Sequence, residues 1–409
     1  MSYYDYLIIG GGVAGVTAAE TIREKDPEST VAIISSEPYP LYSRVLLPSY
    51  LKRRVSRDKL FLRRLDDFAQ KKIDFLPQME AVSIKMSRRE VELSSGQFIG
   101  FKKLLLASGG KVRKWEKDEG QNFIYRLQTI DDADRLFNNL EKIKKAVVVG
   151  GSFIALEFLE ILAVNKSETT LLTKEENFFG GMLEEQGTEL MKKNMARYGI
   201  QVISDDRVDS IFSSDQGLAI TTHQTANINC DAIAVGIGIE RNMDFLKNSG
   251  VEVGNRGIRT NEFFETSQPQ VYAAGDVAEY YDPPLGQYNL CGNWTTAFLQ
   301  GKRVGLNMAG QKEPFSSLPF YSLTNLGFHL TCLGECRNNL ESIVRYDNYK
   351  DLYERIFLKG DIITGAFLIN RFKDKNAIAK LIETKTNIGS YRQKLSTFDF
   401  DINEIPVIK

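Results

Sequence analysis

The sequence predicts an α/β protein with two three-layer, Rossmann-like nucleotide folds and a small α+β domain after them. Three observations carry that expectation. A strand–glycine–helix fingerprint lies close to Met1, a second follows about 140 residues later, and a tail from about Ser316 contains neither.

The first copy reads "YDYLIIGGGVAGVTAAE". Gly10 turns the chain, Gly12 lets backbone N–H groups approach a pyrophosphate, and Gly15 lets the helix pack closely on the strand. Val13 and Ala14, inside the same turn, join the candidate contacts. The apolar run "TVAIISSEP" reads as the next strand, and Glu37 at its end is placed to accept hydrogen bonds from a ribose. Strand, turn, helix, strand and terminal acid in that order predict an adenine-dinucleotide site, where the glycines alone would be weak evidence.

The second copy, "AVVVGGSFIALE", repeats the order from Gly150 with helix "IALEFLEILAV" and strand "TTLLTKEE". Each copy is followed by an alternating stretch that predicts a small meander and then an apolar strand: "IDFLPQMEAVSIKMSRREVELSSGQFIGFKKLLLASGG" and "IQVISDDRVDSIFSSDQGLAITTHQTANINCDAIAVGIG". Ala155 takes the third glycine position, which the fingerprint permits, whereas Ser152 departs from it at the point of closest approach. Its hydroxyl could bond a phosphate if its Cβ is accommodated; otherwise the duplicated fold serves as scaffold. The tail alternates in "YERIFLKGDIITGAFLIN" and ends in a possible helix, "KNAIAKLIETK".

Bulk properties exclude several classes. Lys+Arg of 52 against Asp+Glu of 53 leaves net charge −1, with no global basic signal for nucleic acid or for an anionic membrane. No apolar run approaches the ~18 residues of a membrane span, and the first residues read as a core strand, so a soluble, cytoplasmic protein is expected. Cys230, Cys291, Cys332 and Cys336 are too few for a disulfide scaffold. Two histidines, His223 and His329, leave little for a metal site, and none is expected.

Four motifs occur in a telling order: "LIIGGGVAG", "LLLASGG", "VVVGGSFIALE" and "VYAAGDVAE". In this the chain resembles two-dinucleotide flavoproteins of the pyridine-nucleotide oxidoreductase superfamily. "EPYPLYSRVLLPSYL" and "GNWTTAFLQGKRVGLNMAG" look like the branch that holds rubredoxin and ferredoxin reductases, the FAD region of NAD(P)H nitrite reductases and apoptosis-inducing-factor-like proteins. The resemblance covers residues 3–310 and, more loosely, the tail.

The resemblance implies a glutathione-reductase-like arrangement, with FAD in the first site and NADH or NADPH in the second. Asp276 of "AAGDVAE" would bind the ribityl and phosphate region beside Gly275, which makes the flavin domain discontinuous: 1–112 and 242–315, around a nicotinamide domain at 113–241, with the α+β domain at 316–409. Arg44 matches a basic FAD-contacting position, against a surface arginine. Ala81, Val82, Ala107, Ser108 and Gly109 fall at further FAD positions. Trp294 and Thr295 open a helix whose N-terminus would face the flavin, Trp294 being otherwise an ordinary core residue. On the nicotinamide side, Gly150, Ser152, Ile154 and Ala155 form the turn, Glu157 matches an acid near the carboxamide, and Gly236 ends a strand that approaches the nicotinamide. Phe153 corresponds to an aromatic that covers the flavin, or packs in the core. Arg241 replaces a proline usual in that segment. Glu175 or Glu176 could pair with a 2′-hydroxyl and Lys174 with a 2′-phosphate, and the balance leans to NADH.

Absent residues narrow the chemistry. Disulfide reductases of the superfamily carry a C-x4-C pair soon after the first fingerprint, and here the first cysteine is Cys230. Cys332 and Cys336 in "TCLGEC" read as buried small side chains, with a redox or metal role as the minor alternative. The resemblance then implies an FAD-dependent NAD(P)H oxidoreductase that passes electrons to rubredoxin, ferredoxin or a nitrite-reductase-type partner subunit, without a redox-active cysteine. An NADH oxidase or small-acceptor reductase, and an apoptosis-inducing-factor-like protein with a redox-controlled surface, are the alternatives; a homodimer is admitted. The run "LKRRVSRDKLFLRR" reads either as a solvated helix face or as a docking patch for an acidic redoxin.

Overall fold

Tyr6–Ile9 is buried residue after residue, the signature of a strand covered on both faces. It closes β1 (Ser2–Ile9), and the computed structural model describes residues 2–118, 121–214, 217–224, 227–283, 285–290 and 292–407. Cys291 lies outside the described residues. The chain divides into two compact units: Met1–Val45, Ser56–Lys111 and Ile239–Ser317 form one, and Leu46–Val55, Val112–Gly238 and Leu318–Lys409 form the other.

In the first unit, β1 pairs in parallel with β2 (Val31–Ile34), which pairs in parallel with β3 (Ile73–Leu76). On the other side, β1 pairs with the long strand Phe98–Leu106. The first half of that strand closes an antiparallel meander with Glu90–Leu93 and Ala81–Lys85, and its second half takes Val271–Ala273 in parallel. Helix α1 (Val13–Lys25) lies against the helix Trp294–Met308 with no room to spare. A Cβ on Gly301 would stand 2.4 Å from Ala14 O, and one on Gly305 2.8 Å from Ala18 O.

The second unit repeats the plan. Its five parallel strands run in the order Ile200–Ile203, Glu168–Leu172, Lys145–Val149, Ala232–Val235, Ile124–Tyr125. A three-stranded meander, Val208–Ser214, Gly217–Thr222 and Ile228–Cys230, accompanies them. The tail contributes a five-stranded antiparallel sheet, Phe320–Asn325, Phe328–Gly334, Ile362–Ile369, Leu352–Lys359 and Glu341–Asp347 in spatial order, backed by the helix Lys375–Glu383. Sequence pattern sets this tail apart as a domain; in the structure it is grouped with the second nucleotide fold. Polar links join the two: Asn325 Nδ2 donates to Leu156 O at 3.0 Å, and Arg355 donates to Gly181 O at 2.8 Å.

Candidate functional site: two glycine cradles and a buried acid cluster

The two fingerprints are built alike. Gly10 has φ +123° and Gly150 φ +116°, values that favour glycine. A Cβ on Gly10 would sit 2.1 Å from Ala107 O, and one on Gly150 2.4 Å from Gly236 O. Each glycine therefore turns the chain where it passes under the end of a neighbouring strand. A Cβ on Gly12, in contrast, would meet none of the described residues within 4 Å, so among them the turn opens there into free space bordered by the start of α1, at Val13 and Ala14. That open cradle at a helix N-terminus fits a diphosphate. Gly15 has no such freedom, its Cβ position lying 2.1 Å from Gly10 O.

Polar groups collect around the first cradle. Tyr42 donates to Glu37 Oε2 at 2.6 Å, and Arg44 pairs with Glu37 Oε1. Glu37 and Arg44, two separate expectations from the sequence, thus share one cluster, and Glu37 already has a phenol and a guanidinium on its carboxylate. Asp276 lies close enough to feel Arg44 and Arg241; burial pushes its carboxyl above the ordinary value, against the pull of both arginines. Arg241 donates from Nε to Asp276 O at 3.2 Å, a use for the residue that stands in place of the proline. Gly275 N–H donates to Gln300 Oε1 at 2.7 Å, while buried Gln300 Nε2 has no hydrogen-bond partner among the described residues. A ligand amide or phosphate acceptor suits that orphaned donor. Ser108 Oγ donates to Asn242 O at 2.7 Å and Asn242 N–H to Gly109 O at 3.0 Å, which fixes the loop after the long strand.

The other first-unit expectations fall on two further elements. Ala81 and Val82 begin a meander strand, Val82 being 43% exposed. Trp294 is the first helical residue after the Asn293 cap and packs against the core, and Thr295 beside it is exposed.

In the second unit, Ser152 Oγ donates to Gly236 O at 2.7 Å and accepts from Ala155 N–H at 3.3 Å, as N-cap of the helix Phe153–Val164. Ala155 carries a methyl at the third fingerprint position, and the chain omits a side chain opposite: a Cβ on Gly236 would stand 2.7 Å from Ala155 N. Gly236 thus has a packing reason to be glycine. Ile154 sits half-buried in the first turn, and Lys174, Glu175 and Glu176 are exposed after the strand Glu168–Leu172. Phe153 stacks on Phe179 at 4.6 Å, meets Tyr321 at 4.5 Å and lies parallel to Phe367 at 6.3 Å.

Glu157, one helical turn on, belongs to a cluster the sequence does not announce. Lys52 Nζ lies 3.6 Å from Glu157 Oε2 and pairs with Glu160 as well. Glu157 Oε2 is buried and, among the described residues, accepts no hydrogen bond. Burial raises the Glu157 carboxyl above its ordinary value; Lys52 pulls it down and Glu160 pushes it further up. Members of the basic run have partners of their own: Lys52 is inside, Arg53 pairs with Glu141, Arg54 lies 3.6 Å from Glu160, and Arg63 donates to Glu20 at 2.7 Å. Residues 51–55 of the run belong to the second unit and 56–64 to the first.

Two cradles of the same construction in one chain find a counterpart among known proteins. Residues 4–301 match the family of pyridine nucleotide-disulphide oxidoreductases. The chain belongs to that family. Residues 319–386 match the C-terminal domain of rubredoxin NAD+ reductase, so the tail has a family of its own. The epsilon subunit of an NADH-dependent phenylglyoxylate dehydrogenase from Aromatoleum evansii is 26% identical, with 95% of this chain and 94% of that protein covered. NADH-rubredoxin oxidoreductase of Clostridium acetobutylicum is 26% identical, with 98% of each covered. Among solved structures, putidaredoxin reductase in covalent complex with putidaredoxin superposes with TM-score 0.90 at 22% identity, covering 99% of this chain and 98% of that one. Unlike the disulphide members its family is named for, this pyridine nucleotide-disulphide oxidoreductase has no cysteine before Cys230.

Among the described residues no helix is long and apolar enough to cross a membrane, and no group of three or more His, Cys, Asp and Glu could hold a metal ion.

Proposed function

We propose that the chain is an FAD-dependent NADH oxidoreductase that hands electrons to a small redox protein. The observation that carries this reading is the duplicated cradle, with Gly10 against Ala107 and Gly150 against Gly236. Bound flavin and nicotinamide supply hydride exchange and release of electrons one at a time. The chain's residues bind, orient and tune. The Gly10–Gly15 turn and α1 would hold the flavin diphosphate, with Glu37 on the ribose side and Asp276, Gln300 and Arg44 beyond it. The Gly150–Ala155 turn would hold the nicotinamide dinucleotide through backbone N–H groups, since Ser152 Oγ is occupied as a cap. Glu157 would orient the carboxamide through Oε2, a buried acceptor that has Lys52 at 3.6 Å as its ion-pair partner and room for an amide donor beside it.

NADH is favoured over NADPH by Glu175 and Glu176 at the strand end, where a carboxylate accepts from a 2′-hydroxyl and repels a 2′-phosphate. The relatives named for NADH and rubredoxin support both the donor and the acceptor class. Nothing in the scheme needs a nucleophilic thiol. The domain reading follows: FAD on 1–112 and 242–315, nicotinamide on 113–241.

Anaerobic stopped-flow tests the whole scheme. Flavin-loaded protein is expected to bleach faster with NADH than with NADPH, and the reduced form to reoxidise rapidly on mixing with rubredoxin or ferredoxin. Reoxidation by O₂ alone, with redoxins inert, would replace the acceptor by oxygen; absence of flavin bleaching by either nucleotide would overturn the scheme.

A further inference from the structure

Cys332 and Cys336 play no part in that scheme, yet their sulfurs lie 3.5 Å apart. The contact is built by the backbone. Cys332 sits in the strand Phe328–Gly334, and Gly334 at φ +69° turns the chain back. A Cβ on Gly334 would stand 2.2 Å from Thr364 O, and one on Gly365 2.4 Å from Glu335 O, so two glycines let the turn fold over the neighbouring strand. Glu335 N–H donates to Thr364 O at 2.8 Å and holds it there. A disulfide needs a sulfur separation near 2.05 Å, about 1.5 Å less than the gap present. Both residues are half-buried, and burial pushes the Cys336 thiol well above its ordinary value, which leaves Cys332 as the thiol that attacks first.

What the pair would move is set by register. Cys332 is directly opposite Tyr321 on one side and Phe367 on the other, so the three side chains stand in one row on one face of the sheet. Tyr321 and Phe367 are the rings that meet Phe153, and Cys332 Sγ is also 3.8 Å from Met182 Sδ, just past the Phe178–Gly181 turn that carries Phe179.

We propose that Cys332 and Cys336 are a redox-modification site, a dithiol that small-molecule disulfides convert to an intramolecular disulfide, whose closure repacks the Phe153–Phe179–Tyr321–Phe367 rings. One thiol attacks a low-molecular-weight disulfide RSSR and releases one RSH; the second thiol displaces the other RSH as the Cys332–Cys336 bond forms. The protein loses two electrons and two protons, and RSSR gains them. In the proposed closure Cys332 shifts toward the turn, away from its place in the row. Resting on the nicotinamide reading of the second cradle, the same shift lowers affinity for the nucleotide.

The test uses full-length, flavin-loaded protein incubated with oxidised glutathione, followed by blocking of free thiols and peptide mapping. The expected product is a cross-linked Cys332–Cys336 peptide two hydrogens lighter, reversed by dithiothreitol. It should come with a near-ultraviolet circular dichroism change that Tyr321→Phe diminishes and that Cys332→Ser, Cys336→Ser protein does not show. NADH Kd should rise by about fivefold or more on oxidation. Thiols that stay separately alkylatable, or a disulfide that leaves the aromatic dichroism unchanged, would overturn the proposal. If neither redox form binds NADH or NADPH, the nicotinamide reading fails, while mapping and dichroism still decide the dithiol.

Discussion

Lys52 Nζ stands 3.6 Å from Glu157 Oε2, and the lysine side chain is only 5% exposed. One ammonium thus serves two carboxylates, Glu157 and Glu160, at 15% and 12% exposure. Replacing it leaves two largely buried anions, with Arg54 3.6 Å from Glu160. Lys52→Met should cost about 3 kcal/mol of stability, read from urea unfolding. Adding Glu160→Gln should recover part of that loss, because one anion is then removed; a second variant no more stable than the first would argue against shared neutralisation.

Glu157 also makes stability depend on pH. Its ordinary value is 4.5, and burial places the folded-state value above it. Across that window the folded protein binds more protons than the unfolded one, so the contribution to stability falls as pH rises from 4.5 through the raised folded value. Glu157→Gln should flatten this part of the profile and gain on the wild type as pH increases. In stopped-flow the same substitution should slow flavin reduction by NADH more than reoxidation by a redoxin. Equal slowing of both half-reactions would remove Glu157 from the nicotinamide side.

Gly10 and Gly12 of the first cradle should behave in opposite ways. Gly10→Ala meets Ala107 O at 2.1 Å and adopts φ +123°, so it should cost about 3 kcal/mol or more and lower the yield of folded protein. Gly12 has ordinary backbone angles, φ −77° and ψ −179°, and open space at its Cβ. Gly12→Leu should therefore fold with nearly wild-type melting and lose its flavin, because the side chain occupies the cradle. Retention of full flavin absorbance in a folded Gly12→Leu protein would place the diphosphate elsewhere.

What the sequence made legible was local. Strand, glycine turn and helix lie within about a dozen residues, and both copies fold as their pattern predicts. The meanders were equally readable from alternation. What escaped depends on pairs far apart in the chain. Lys52 looks like any member of a basic run until Glu157 and Glu160, on a helix more than a hundred residues later, are brought to it. Ser152 gives no sign of its bond to Gly236 O until that strand end arrives beside it. The pairing of Cys332 with Cys336 turns on a left-handed glycine between them, which composition alone does not reveal.

Arg345 supplies the last prediction, in the tail. It and Glu354 are both fully buried and 2.9 Å apart. Arg345 also donates to Thr397 O at 3.0 Å and Phe400 O at 2.7 Å, and its guanidinium lies over Phe398 at 4.6 Å. One side chain thereby ties residues 397–400 to the sheet. Burial, and then the hydrogen bond with Asp374, push the Glu354 carboxyl up to about 8, while Arg345 and Arg371 oppose them. Arg345→Met should cost about 3–5 kcal/mol and speed hydrogen exchange at 397–400 selectively. Arg345→Lys should rescue little, since an ammonium cannot reproduce the planar fork that reaches Glu354, Thr397 and Phe400 together. Glu354→Gln should be milder, because the amide still offers Arg345 an acceptor, and its standing against the wild type should improve as pH climbs from 4.5 through about 8. Unchanged exchange at 397–400 in Arg345→Met would show that the segment is held by its own packing instead.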